Sequence, residues 1–116
     1  MKDYKVTFKL DEQEYDAIFN LNVMEQIQEQ YGSVQKWGAL TDAKSGEPNA
    51  KAIIYGFWAM MNEAIDIKND ENGENKPLFT LKQVGRIISR AGLEASAKTL
   101  NNAVIEATKE DKPKNA

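Results

Sequence analysis

Tyr4, Val6, Phe8 and Leu10 alternate with Lys5, Thr7 and Lys9, a period of two that predicts a β-strand with one apolar face. After the polar break Asp11-Glu12-Gln13, the residues Tyr15, Ala17, Phe19 and Leu21 alternate again, with Asp16 and Asn20 between them. An antiparallel hairpin that pairs Lys9 with Glu14 also sets Phe8 opposite Tyr15, Thr7 opposite Asp16 and Tyr4 opposite Phe19. Apolar residues then share one face and opposite charges meet on the other, so pattern and charge select the same register. A two-stranded hairpin alone is marginal, so this face is expected to pack on helices.

From residue 22 onward the period changes. Asn22, with Glu25 three positions on, has the form of a capping box, and Val23, Met24, Ile27 and Tyr31 share one helical arc that Gly32 closes. Ser33 is placed to cap a short second segment holding Val34, Trp37 and Leu40. Thr41 to Pro48 reads as a loop. Residues 49–66 carry the clearest helical signal. Met60, Ile53, Ala64, Phe57, Ala50, Met61, Ile54, Ile65 and Trp58 form one arc, and Lys51, Ala52, Tyr55, Gly56, Ala59, Asn62, Glu63 and Asp66 lie opposite. This predicts a central core helix of ~27 Å. Ile67 to Leu78 is polar and acidic, with Gly73 and Pro77, and reads as a mobile loop. Thr80-Leu81-Lys82-Gln83 is a second capping box. It opens a helix with Leu81, Val84, Ile87, Ile88 and Ala91 inward and Lys82, Arg86 and Arg90 outward. After Gly92 a last helix runs from about Leu93 to Lys109, with the narrow stripe Ala97, Leu100, Val104 and Ala107; Ile105 falls off it. The expected fold is α+β: an N-terminal β-hairpin packed on a bundle of about four helices. Residues 1–109 form one domain, and the charged end 110–116, with Pro113, is expected to be a disordered tail.

The chain has 116 residues, 41% of them hydrophobic and 28% charged, with no cysteine and no histidine. Disulfides, thiolate nucleophiles, histidine acid–base chemistry and Cys/His zinc sites are therefore excluded. Net charge is −3, which disfavours a general nucleic-acid binder. The charge is uneven. Residues 1–48 carry 5 positive and 9 negative groups, and residues 80–116 carry 7 positive and 4 negative. No apolar run approaches the ~20 residues that span a bilayer, and residues 1–5 lack the apolar core expected of a signal peptide.

No familiar catalytic pattern emerges. Asp11, Glu12, Glu14 and Asp16 cluster at a hairpin turn, where solvation removes the pKa separation that paired catalytic carboxylates need. The 66–79 segment resembles a calcium loop only in composition: with Gly73 at its sixth position, Lys68 and Phe79 would occupy the ends that require carboxylates. Lys82, Arg86 and Arg90 suggest helix-turn-helix DNA binding, but Ile88 and Lys98 would then stand where a small residue and a buried aliphatic belong. The seven glycines are scattered, without a phosphate loop, and no serine has an activating partner. Neither a cofactor nor a metal is expected.

Phe19-x-Leu21-Asn22-x-Met24-Glu25-x-Ile27, closing with Tyr31-Gly32-Ser33, resembles the start of the small tail assembly chaperones of long-tailed bacteriophages and of related prophage and gene-transfer-agent proteins. The alanine-rich helix with Trp and Asn-Glu (52–64) and the Phe79-Thr80-x-x-x-Val84-Gly85-x-Ile87 helix start continue the likeness, which covers roughly residues 4–107. The resemblance implies a non-enzymatic, mostly helical protein of the bacterial host cytoplasm that forms homo-oligomers. It implies binding of the tape measure protein, which is kept soluble until the tail tube polymerises around it, and absence from the mature virion. Nucleic acid and membrane are not expected partners. Large apolar groups left over from this reading place the partner-binding surface at Trp37, Trp58, Met61, Leu100 and Ile105. Two other classes remain open: a structural tail or head–tail adaptor component, and a small DNA-binding regulator.

Overall fold

The computed structural model describes residues 4–42 and 46–109. Strands β1 (Tyr4–Leu10) and β2 (Gln13–Phe19) pair antiparallel in the register argued above, from Tyr4 with Phe19 to Leu10 with Gln13. Phe8, Leu10, Ala17 and Phe19 are buried on the inner face, where the Phe8 ring meets Phe57 edge-on at 4.6 Å. The two-residue turn holds Asp11 at φ 51° and Glu12 at φ 67°. Positive φ at both positions is what the right-handed twist of a hairpin demands.

Among the described residues, five helices follow. They are α1 (Leu21–Tyr31), α2 (Val34–Thr41), α3 (Ala50–Asn72), α4 (Leu81–Ala91) and α5 (Leu93–Lys109). With the hairpin they give the expected α+β fold, and the separate two turns of α2, capped by Ser33, bring the helix count to five. The first cap differs from expectation. Asn20, not Asn22, starts α1: its side-chain oxygen accepts from the Val23 amide at 3.1 Å. The Asn20 amide nitrogen meanwhile donates to Glu63 on α3 at 2.7 Å, and Asn22 donates to the same carboxylate at 3.1 Å. Asn20 is the buried one of the two, and its side chain both caps α1 and reaches α3, whereas the exposed Asn22 side chain serves only the link to Glu63. The Thr80 capping box forms as expected, with Gln83 reaching back to the Thr80 amide. Leu81, expected inward on α4, is instead 46% exposed at its first turn.

Helix α3 is the axis of the molecule and touches β2 and every other helix. It is not amphipathic in the expected sense. Ala52, Gly56, Ala59 and Asn62, assigned to its polar side, are all buried, whereas Ala50 is exposed. The small residues form a seam for close neighbours. Trp37 of α2 lies over Gly56 and donates its indole N–H to the Ala52 carbonyl at 2.9 Å, so the buried ring satisfies its one polar atom. Leu100 of α5 reaches the same glycine. From the other end of α2, the Thr41 carbonyl accepts from Asn101 of α5 at 2.9 Å.

The reading of residues 67–78 as a loop is corrected. Helix α3 continues six residues past 66, to Asn72, and Gly73 closes it in the left-handed conformation at φ 64°. The extra turns have work for their side chains. Ile67 borders a hollow with Ile18, which is buried on the outer face of the hairpin, and Lys68 pairs with Asp16 at 2.6 Å. Beyond Gly73 the chain returns along α3 as a strap. Asn69 accepts from the Lys76 amide and donates to the Lys76 carbonyl, both at 3.0 Å. Asn62 does the same to Phe79, at 2.8 and 3.0 Å, and the Trp58 indole adds a donor to the Phe79 carbonyl at 2.9 Å. The spacing explains the fit: seven helical residues rise about 10.5 Å, and three extended residues span roughly the same distance.

Of the remaining expectations, the tail at 110–116 and the N-terminal residues 1–3 lie outside the described residues, as do residues 43–45 of the expected loop. No helix is long and apolar enough to cross a membrane among the described residues.

Candidate functional site

Burial sorts the expected partner-binding residues into two groups. Trp37 and Met61 are 1% exposed and Leu100 is 0% exposed, so all three are core side chains. Each has an evident structural role or setting: Trp37 and Leu100 lock α2 and α5 onto α3, and Met61 lies in the hydrophobic core. Trp58 is half-buried, and Ile105 is 59% exposed on α5. Only these two reach the surface, and they sit on different elements.

Trp58 stands one ring away from a largely apolar hollow. Its ring lies 5.3 Å from Tyr55, which in turn meets Tyr31 edge-on at 5.6 Å. Tyr55 borders a groove of about 470 Å³ between the end of α1, the first half of α3 and the start of α4. Ile54 and Leu81 supply its apolar walls, and Gly85 leaves its floor bare. A β-carbon at Gly85 would stand 3.4 Å from the Ile54 methyl, an ordinary van der Waals contact, so the approach of α4 to α3 does not depend on the glycine. Of the large apolar side chains that stay exposed, Leu81 is the one that lines this groove.

The polar groups around the groove are few. Lys51 and Lys82 stand on its rim with Gln30. The Tyr55 hydroxyl donates to the Gln26 carbonyl at 3.2 Å. Burial pushes the Tyr55 hydroxyl above its usual pKa, and the nearby Tyr31 and Glu29 add to the shift. Burial alone raises Tyr31, whose hydroxyl is enclosed without a hydrogen-bond partner. Both hydroxyls therefore hold their protons to higher pH than a free tyrosine does.

Two other hollows differ in character. The one on the outer face of the hairpin is bordered by Lys5, Thr7, Asp16, Lys68 and Glu71, and the exposed Lys68–Asp16 pair crosses it. The second lies beneath the strap, between Tyr15, Ile65 and Phe79. Among the described residues no three acidic, histidine or cysteine side chains converge to hold a metal ion. The carboxylates of the expected calcium-like segment are divided between α3, which carries Asp70 and Glu71, and the strap, which carries Glu74.

Sequence reasoning had Ile54 and Trp58 on the apolar arc of α3 but set Tyr55 on its polar side. A large aromatic on the supposed polar face of a core helix was the visible signal that another surface begins there. Compared with family models, curated proteins and solved structures, the chain matches none of them.

Proposed function

We propose that the protein is a non-enzymatic binding protein of the phage tail assembly chaperone kind, which holds an apolar helical segment of a tape measure protein and keeps that protein soluble during tail morphogenesis. The observation that carries the reading is the groove between α1, α3 and α4, walled by Ile54, Tyr55 and Leu81 and floored by Gly85. An amphipathic helix laid in such a groove buries a stripe that would otherwise self-associate. The wet rim and the half-exposed Leu81 suit a contact that must later be released as the tube closes. The resemblance in residues 19–33 and 79–88 supports the choice of partner, and the groove supports a binding role.

Co-expression with the tape measure protein tests this. The wild-type chain should hold the tape measure protein in the soluble fraction and co-purify with it. Leu81→Asp should lose it, and Ile105→Asp, on a separate face, should keep it. An insoluble tape measure protein beside abundant soluble wild-type chain would contradict the proposal.

A further inference from the structure

The groove carries its own charge signature. Lys51 of α3 and Lys82 of α4 stand on its rim, and no acidic side chain lines it. Arg86 follows one turn after Lys82 and is exposed. Glu29 acts on the Tyr55 hydroxyl from outside the lining. The basic rim is a local feature of a molecule whose net charge is −3, which makes it a selective one.

The occupant cannot come from the undescribed parts of the chain. Residues 1–3, 43–45 and 110–116 hold a single large apolar side chain, Met1, and cannot fill a groove of this kind. We infer that the groove takes a helix from another protein whose apolar stripe is flanked by acidic side chains, with Lys51, Lys82 and Arg86 pairing with those acids while Leu81 and Tyr55 meet the stripe. This inference rests on the binding role proposed above and adds the chemistry that selects the segment. Complementary charge at a rim steers encounter and suppresses wrong partners more than it adds affinity.

The test uses two synthetic amphipathic peptides with the same leucine stripe, one flanked by glutamates and one by lysines. Binding to the full chain is read from the change in tryptophan emission, since Trp58 stands one ring from the groove. At low ionic strength the glutamate-flanked peptide should bind roughly tenfold more tightly, as expected when two or three exposed attractive pairs replace repulsive ones. The preference should fade at about 1 M salt, where screening shortens to ~3 Å. Lys51→Glu with Lys82→Glu should reverse it. Both side chains are exposed, so the double variant should fold, and circular dichroism checks that it does. Equal affinity for the two peptides overturns the inference, as does an unchanged preference in the folded double variant. Self-association abolished by Leu81→Asp also overturns it, by showing that a second copy fills the groove. If the tape measure protein co-purifies while neither peptide binds, the inference fails and the chaperone reading stands. If the glutamate-flanked peptide binds and the tape measure protein does not, the inference stands and that reading fails.

Discussion

Gly56 lies beneath both Trp37 and Leu100, and an added methyl there would press into the indole ring. Neither ring nor helix backbone can yield easily in a close-packed core. Gly56→Ala should therefore destabilise the protein by about 1–3 kcal/mol despite its better helix propensity. Gly38, on α2 with nothing near its missing side chain, should respond in the opposite sense, gaining about 0.5–1 kcal/mol as alanine. Urea denaturation of the two variants decides the matter, and similar midpoints would refute the seam. Tyr31 offers a test in pH. Its hydroxyl is enclosed without a partner, and burial holds its folded pKa above 10.0. As pH rises past 10.0, the unfolded chain loses this proton before the folded one does, so stability falls. Tyr55 shifts in the same direction and adds to the fall. Tyr31→Phe should raise stability at pH 7 by up to about 1 kcal/mol, since it removes an unsatisfied group. It should also flatten the decline of the urea midpoint between pH 9 and 11.

At the scale of elements, the register of the hairpin was legible, although Leu21, read as part of the strand alternation, instead opens α1 and is 58% exposed. Alternation, cross-strand charge and the polar turn all agreed, and the pairing matches residue for residue. Helix α3 was legible as the core but not in its length. Asp66 to Asn72 has no apolar stripe, and what extends the helix there is tertiary: Ile67 beside Ile18, Lys68 on Asp16, Asn69 on the strap. No periodicity announces an asparagine that stands in for a β-ladder partner. Asn62 and Asn69 are seven residues apart, and only the returning chain gives that spacing meaning. Asn62→Ala should cost about 1–3 kcal/mol, because it leaves the partly buried Phe79 amide without its acceptor. Asn69→Ala should cost less, since Lys76 is exposed to water. Hydrogen exchange checks both variants. The Phe79 amide should lose protection in the first and the Lys76 amide in the second, and unchanged protection would refute the strap.

For the whole molecule, one axial helix decides where everything else can lie. Small residues on one side of α3 admit Trp37 and Leu100, its aromatic side begins a groove, and its tail holds the strap that delivers Phe79 and α4. The groove was only partly legible. Trp58 pointed toward it, but Trp37, Met61 and Leu100 are spent on packing, and composition cannot tell a tryptophan that seals a core from one that meets a partner. Trp37 and Leu100 both pack over Gly56, a neighbour that no composition reveals. A chemical-shift map of the folded chain titrated with helical segments of the tape measure protein decides whether the groove is where a partner helix lies. Shifts should concentrate at the Ile54 and Leu81 methyl groups and the Gly85 amide, with the Ile105 methyl unmoved. Shifts centred on Ile105, or none at the groove at saturation, would contradict that placement.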